Sequence, residues 1–94
     1  MLIGIPREIK PLEGRVALTP EACNELIRSG HKVCVESGAG DRSGYPDSEF
    51  ESMGVEILPD AASVYGQADM IVKVKEPIGP ELGMLLPDQI LFSF

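Results

Sequence analysis

The sequence predicts a single α/β domain built on an open, mostly parallel sheet with helices on both faces. Five short apolar, β-branched runs alternate with segments of helical pattern along the 94 residues. Each intervening segment is long enough to return the chain to the same edge of the sheet, as a parallel connection requires. The length is sufficient for one packed core but not for two lobes.

The predicted strands are short runs of apolar residues that end at turn-forming residues. They are 2–5, 32–36, 55–58, 70–75 and 90–94. Because the last of them reaches the final residue with no polar tail, we expect these 94 residues to be part of a longer protein.

The first predicted helix has both of its ends written in the sequence. Thr19 can cap it, Pro20 occupies the first helical position, and Gly30 closes it. The predicted apolar face of this helix is formed by Ala22, Leu26 and Ile27.

Two further helices and a weaker one follow. The second is predicted at about 47–53, where Ser48 and Glu51 have the spacing of a capping box. A third follows Asp60, and the stretch 80–86 is a weaker helical pattern because a glycine interrupts it.

Charge and hydropathy exclude several classes of partner. Fifteen acidic residues against eight basic ones give a net charge of −7, which repels nucleic acid and anionic lipid surfaces. The longest apolar runs are about five residues, against roughly 20 for a membrane span, and no signal peptide is visible. We therefore predict a cytoplasmic protein with no membrane partner, in which Cys23 and Cys34 are buried thiols and not a disulfide.

A glycine-rich loop, GAGDRSG at 38–44, has a superficial likeness to a phosphate-binding loop. Its spacing is GxGxxxG, and the following helix begins only after Tyr45 and Pro46, so no helix N-terminus faces a pyrophosphate. The loop is therefore predicted to be a turn that needs glycines for positive φ, with no cofactor-binding residue in it.

Two cations are the candidate site residues. Arg15 lies on the loop after the first strand, and Lys75 lies at the end of the fourth, so both are expected at the carboxyl edge of the sheet, where such folds bind ligands. Together they predict a site for a small anion. The alternatives are a surface position for Arg15, and snorkelling or pairing with Glu76 for Lys75 and its neighbour Lys73.

Other chemistry is not supported by the sequence. His31 is the only histidine, precedes a strand, and is predicted to be exposed at the opposite edge of the sheet. No serine has the setting of a nucleophile elbow, and no cluster of ligands has metal spacing, so no metal site is predicted.

Four segments carry a resemblance to a known family: IGIPRE at 3–8, RVALTP at 15–20, ESGAG at 36–40 and VKVKEP at 72–77. In order and spacing they resemble the N-terminal domain shared by alanine dehydrogenase and the NAD(P) transhydrogenase alpha subunit. The second lysine of the last segment, Lys75, makes it more similar to the dehydrogenase. The resemblance implies a Rossmann-like, flavodoxin-like N-terminal domain.

The resemblance also implies a function for the parent protein. Residues 1–94 would begin the catalytic, substrate-binding domain of an enzyme that oxidises L-alanine with NAD, giving pyruvate and ammonia. Arg15 matches the arginine that holds the substrate carboxylate, and Lys75 matches the lysine on its carboxylate and carbonyl side. NAD would be bound by a separate Rossmann domain, and the acid/base histidine would lie just beyond Phe94. The fragment alone is thus expected to be inactive.

Two alternatives stay open at this point. The first is the transhydrogenase alpha subunit, which supports hydride transfer between NADH and NADP in a membrane-associated assembly. The second is a small anion-binding α/β module without enzymatic activity. For the dehydrogenase, the resemblance implies a homo-oligomer, typically a hexamer. The sequence does not distinguish which small 2-amino acid is the substrate.

Overall fold

The computed structural model describes residues 1–9, 14–75, 77 and 79–93. Within them a five-stranded sheet has the order β3-β2-β1-β4-β5, and every neighbouring pair is parallel. The strands are β1 (Leu2–Ile5), β2 (Lys32–Glu36), β3 (Glu56–Leu58), β4 (Met70–Lys73) and β5 (Ile90–Ser93). The predicted sheet is confirmed; β4 ends two residues earlier than predicted, and the predicted end of β5, Phe94, lies outside the described residues.

The strand order places β1 at a topological switch point. The chain moves from β1 to β2 and β3 on one side, then crosses back to pair β4 with β1 on the other, in a register that sets Ile3 beside Met70. In open parallel sheets, a crevice forms outside the carboxyl ends of the two strands at such a point. The loops after β1 and β4 therefore flank the expected ligand position.

Three α-helices pack on this sheet: α1 (Pro20–Arg28), α2 (Asp47–Ser52) and α3 (Ala61–Gln67). The cap of α1 is confirmed, because the Thr19 hydroxyl accepts a hydrogen bond from the Ala22 N–H at 3.2 Å. The capping box predicted for α2 is wrong: the helix begins at Asp47 after Pro46, which places Ser48 inside the first turn. The weak helix predicted at 80–86 is a 3₁₀ turn, Gly79–Gly83.

The two faces of the sheet carry separate cores. One contains Cys23 of α1, Phe50 of α2 and the inward residues of β1 and β2. The other contains Cys34 together with Val64 and Tyr65 of α3. Helices therefore cover both faces, as predicted, and the two buried cysteines are free thiols in different cores. On α1 the fully buried residues are Pro20 and Cys23. The three residues of the predicted face, Ala22, Leu26 and Ile27, are half-buried, and the last two pack against the first core.

A glycine in β1 allows α3 to approach the sheet closely. A Cβ atom at Gly4 would lie 2.7 Å from the Ala68 Cβ and 2.8 Å from a Val64 methyl carbon. Both distances are far inside van der Waals contact, so the packing of the end of α3 on β1 depends on the missing side chain. Among the described residues, no helix combines the length and apolar character needed to cross a bilayer.

Candidate functional site at the carboxyl edge of the sheet

A cavity of about 320 Å³ opens at the carboxyl edge, beside the switch point. Three arginines line it, Arg7, Arg15 and Arg42, and they outnumber its two acidic residues, Glu8 and Asp41. Backbone of the glycine loop completes the wall at 37–39. We refer to this space as the arginine cavity. Its size and excess of guanidinium groups suit a small anion.

Arg15 is held at this cavity by hydrogen bonds of its two chain neighbours. The Ser43 hydroxyl donates to the Gly14 carbonyl at 2.7 Å and accepts from the Val16 N–H at 3.2 Å. One side chain therefore fixes the backbone on both sides of Arg15, whose own side chain is exposed. Arg15 also lines an adjoining cavity of about 550 Å³ with Val74. The role of Ser43 was not foreseen, because a single serine in a turn has no distinguishing sequence signal.

Lys75 is connected to the same cavity through Glu8. The buried Glu8 carboxylate accepts hydrogen bonds from the Val74 N–H at 3.0 Å and from the Lys75 N–H at 3.2 Å. The Lys75 side chain is half-buried and is not among the described residues lining the arginine cavity. The structure thus brings the backbones that carry Arg15 and Lys75 to one edge of the sheet. The binding of one small anion by both side chains stays a prediction.

Lys73 is buried in a group of charged and polar side chains. Its side chain is 1% exposed, and its ammonium nitrogen lies 2.9 Å from a Glu81 oxygen and 3.4 Å from a Glu8 oxygen. The Tyr65 hydroxyl donates to the same Glu81 oxygen at 3.0 Å. We call these four residues the buried ion cluster. Snorkelling of Lys73 to the surface is therefore wrong. The other alternative was pairing with Glu76, which lies outside the described residues.

The cluster pairs its buried cation with two carboxylates. The Lys73 ammonium contacts both carboxylates, which also accept hydrogen bonds from the Tyr65 hydroxyl and from two backbone N–H groups. None of the three buried charges is therefore left without an opposite charge or a donor. Burial and the neighbouring Glu81 carboxylate raise the pKa of the Tyr65 phenol, which stays a donor. A lysine in an otherwise apolar strand was the one signal of this cluster available in the sequence.

A second carboxylate supports the other side of the cavity. Glu36, at the end of β2, accepts a hydrogen bond from the Arg7 N–H at 2.8 Å, and the Arg7 guanidinium lies 3.9 Å from its second oxygen. Burial raises the pKa of the Glu36 carboxyl, while the Arg7 hydrogen bond opposes this rise. Glu8 and Glu36 therefore join the loop after β1 to the ends of β4 and β2 respectively.

The glycine loop has the geometry of a turn. Gly38 and Gly44 both have a φ of 83°, which confirms the prediction of positive φ. Asp47 accepts from the Gly38 N–H at 2.9 Å and from the Ser37 hydroxyl at 2.6 Å, so this backbone donor is already used. The first turn of α2 is also acidic. These residues do not fit the pyrophosphate of NAD.

His31 lies at the amino edge of the sheet, as predicted, but it is half-buried and not exposed. Its Nδ1 atom is buried and has no hydrogen-bond partner within the part of the chain that the structure describes. Across the described residues, no group of three or more His, Cys, Asp or Glu side chains is placed so that it could bind a metal.

Comparison with known proteins assigns the family. The model of the family described as "Alanine dehydrogenase/PNT, N-terminal domain" matches residues 4–94. The chain belongs to this family. The resemblance seen in the four sequence segments is thereby confirmed along almost the whole chain.

Curated relatives include members of both branches of the alanine dehydrogenase/PNT family. The chain is 47% identical to alanine dehydrogenase of Methanococcus maripaludis and 46% identical to that of Bacillus subtilis, over 94 residues in each case. It is 44% identical, again over 94 residues, to the NAD(P) transhydrogenase subunit alpha of Cereibacter sphaeroides. These alignments cover the entire chain but only 25% of each dehydrogenase and 18% of the transhydrogenase subunit.

Solved structures agree with this assignment. An L-alanine dehydrogenase structure superposes with a TM-score of 0.92 at 34% identity, covering 100% of this chain and 26% of the other. A transhydrogenase from Sinorhizobium meliloti gives a TM-score of 0.91, also at 34% identity, covering 99% of this chain and 27% of the other. The N-terminal fold is thus shared by both branches, and identity alone does not separate them.

Proposed function

We propose that residues 1–94 form the first part of the substrate domain of an NAD-dependent alanine dehydrogenase, which converts L-alanine to pyruvate and ammonia. The observation that carries this proposal is the position of Arg15 in the arginine cavity, at the switch point of the family fold. The identities to alanine dehydrogenases support the choice of reaction. We further propose a cytoplasmic homo-oligomer, a hexamer, as the working state of the full-length protein.

The proposed roles follow from the chemistry of the two cations. The guanidinium of Arg15 would bind the substrate carboxylate through two parallel hydrogen bonds, which fix its orientation. The ammonium of Lys75 would contact the substrate carboxylate and the carbonyl oxygen of pyruvate, which it would polarise. NAD supplies the hydride acceptor and would be bound by a domain outside these residues, because the glycine loop here does not fit it.

The test uses the full-length protein and measures NADH formation with L-alanine. We expect Arg15→Ala and Lys75→Ala each to lower kcat/KM for L-alanine by roughly 100-fold or more. The KM for NAD should change by less than about twofold, since neither residue is proposed to contact the cofactor.

Matched controls replace exposed cations away from the cavity. Arg28→Ala, at the end of α1, and Lys32→Ala, at the start of β2, remove the same charge types and should leave turnover near the unmutated value. Normal alanine turnover in Arg15→Ala or Lys75→Ala would contradict the assigned roles.

The transhydrogenase reaction is the second candidate, favoured by the 44% identity to the alpha subunit and by the TM-score of 0.91. The two candidates differ in whether alanine is consumed. Alanine-dependent reduction of NAD supports the dehydrogenase, whereas hydride exchange between NADH and NADP without any response to alanine supports the transhydrogenase.

A further inference from the structure

Glu8 links the two segments that carry the proposed substrate-binding cations. It lies on the segment that leaves β1, lines the arginine cavity, and accepts hydrogen bonds from the backbone N–H groups of Val74 and Lys75. These contacts cross the switch point, at which β1 and β4 are adjacent but their following segments separate.

Both oxygens of the Glu8 carboxylate are occupied by donors from this chain. One accepts from the Val74 N–H, and the other accepts from the Lys75 N–H and lies 3.4 Å from the Lys73 ammonium. The Glu8 side chain is only 3% exposed. A carboxylate held in this way is suited to fixing backbone and poorly suited to accepting a proton from a substrate.

We propose that Glu8 is a positioning residue for Lys75. By holding the Val74 and Lys75 amides, it sets where the Lys75 ammonium stands relative to the carboxylate bound by Arg15. The inference rests on the proposed function, because Lys75 has a kinetic role only if the full-length protein turns over L-alanine. A displacement of about 1 Å at a reacting group can cost roughly 100-fold in rate.

The kinetic test is a double-mutant cycle in the full-length protein. We expect Glu8→Gln to lower kcat/KM for L-alanine by roughly 10- to 100-fold, with the KM for NAD changed by less than about twofold. In a Lys75→Ala background, the same change should cost less than about threefold, because the group that Glu8 positions is already gone. Equal losses in the two backgrounds would show that Glu8 acts independently of Lys75 and would overturn the proposal.

Glu81→Gln is the matched control. It alters the buried ion cluster by the same chemical change, and the Glu81 carboxylate binds the side chains of Lys73 and Tyr65, whereas Glu8 binds the backbone after β4. We expect Glu81→Gln to lower thermal stability while keeping kcat/KM per folded molecule within about threefold. A loss as large as that of Glu8→Gln would assign the effect to general weakening of the cluster and overturn the positioning role.

Amide hydrogen exchange separates a failure of this inference from a failure of the proposed function. In the unmutated protein, the Val74 and Lys75 amides should be protected, and Glu8→Gln should accelerate their exchange at least about tenfold relative to amides of α1. Unchanged exchange overturns the link, whatever the enzyme does. Absence of alanine-dependent NAD reduction in the unmutated protein overturns the proposed function, and the link is then decided by exchange alone.

Discussion

Replacing Lys73 with methionine removes the positive charge of the buried ion cluster while keeping the length of the side chain. Two carboxylates, Glu8 and Glu81, then remain buried at 6% and 2% exposure without their cation. Removing one partner of a buried ion pair typically costs about 3–5 kcal/mol, because the remaining charge is uncompensated. We expect Lys73→Met to lower the free energy of unfolding of the 94-residue chain by this amount at neutral pH.

The measurement is urea unfolding followed by far-ultraviolet circular dichroism. With a denaturant dependence of roughly 1–1.5 kcal/mol per molar urea, the midpoint should fall by about 2–5 M. Lys32→Met is the matched control, because Lys32 is exposed at the start of β2 and its replacement should change stability by less than about 0.5 kcal/mol.

A double variant keeps this prediction testable if Lys73→Met leaves the chain unfolded in buffer. Lys73→Met combined with Glu81→Gln restores the net charge of the cluster, and it should recover at least about 1 kcal/mol relative to Lys73→Met alone. The reasoning is refuted if Lys73→Met shifts the midpoint no more than Lys32→Met, or if the double variant is the less stable of the two.

Two further predictions concern the core. Gly4→Ala should destabilise the chain by about 1–3 kcal/mol in thermal unfolding, because the added methyl overlaps the end of α3. A methyl added at Gly66 of α3 meets no atom within 4 Å, so Gly66→Ala should stabilise the chain by about 0.5–1 kcal/mol. Equal effects of the two substitutions would contradict this packing. Burial raises the pKa of Cys34 to about 11 and of Cys23 to about 12. Their stabilising contribution is therefore complete below the pKa of an unfolded thiol, about 8.5, and is lost as pH rises towards these values, by about 1–2 kcal/mol per thiol at pH 10. The difference between the urea midpoints at pH 8 and pH 10 should be smaller in a Cys23→Ala/Cys34→Ala variant than in the unmutated chain. An equal difference in the two proteins would contradict the burial of the thiols.

Much of the fold could be predicted because its signals are local. The strands are short runs of apolar residues, and the start of α1 depends on Thr19 and Pro20, which act on backbone groups a few residues away. The helix predicted at 47–53 is present as α2, but its start was assigned the wrong cap, because the Asp47 side chain contacts Ser37 and Gly38, about ten residues earlier in the chain. The capping-box pattern carried no information about that contact.

Part of the candidate site could be predicted from the sequence, and part could not. The sequence by itself determined that Arg15 and Lys75 follow strands of a parallel sheet, which places both at its carboxyl edge. Only the tertiary structure decided how they are held there. Ser43 reaches Gly14 from 29 residues away, and Glu8 reaches Val74 from 66 residues away.

The sequence also showed that a lysine inside a buried strand needs compensation, without showing what compensates it. Glu81 is only eight residues from Lys73, yet the pairing depends on a 3₁₀ turn in which Glu81 also binds Tyr65 of α3. Glu8 comes from the segment that follows the neighbouring strand, β1. Local patterns record backbone preferences and burial, whereas the partner of a buried charge is set by which segments the sheet brings together. That is why the fold and the edge of the site were readable from the chain, and the buried ion cluster beneath it was not.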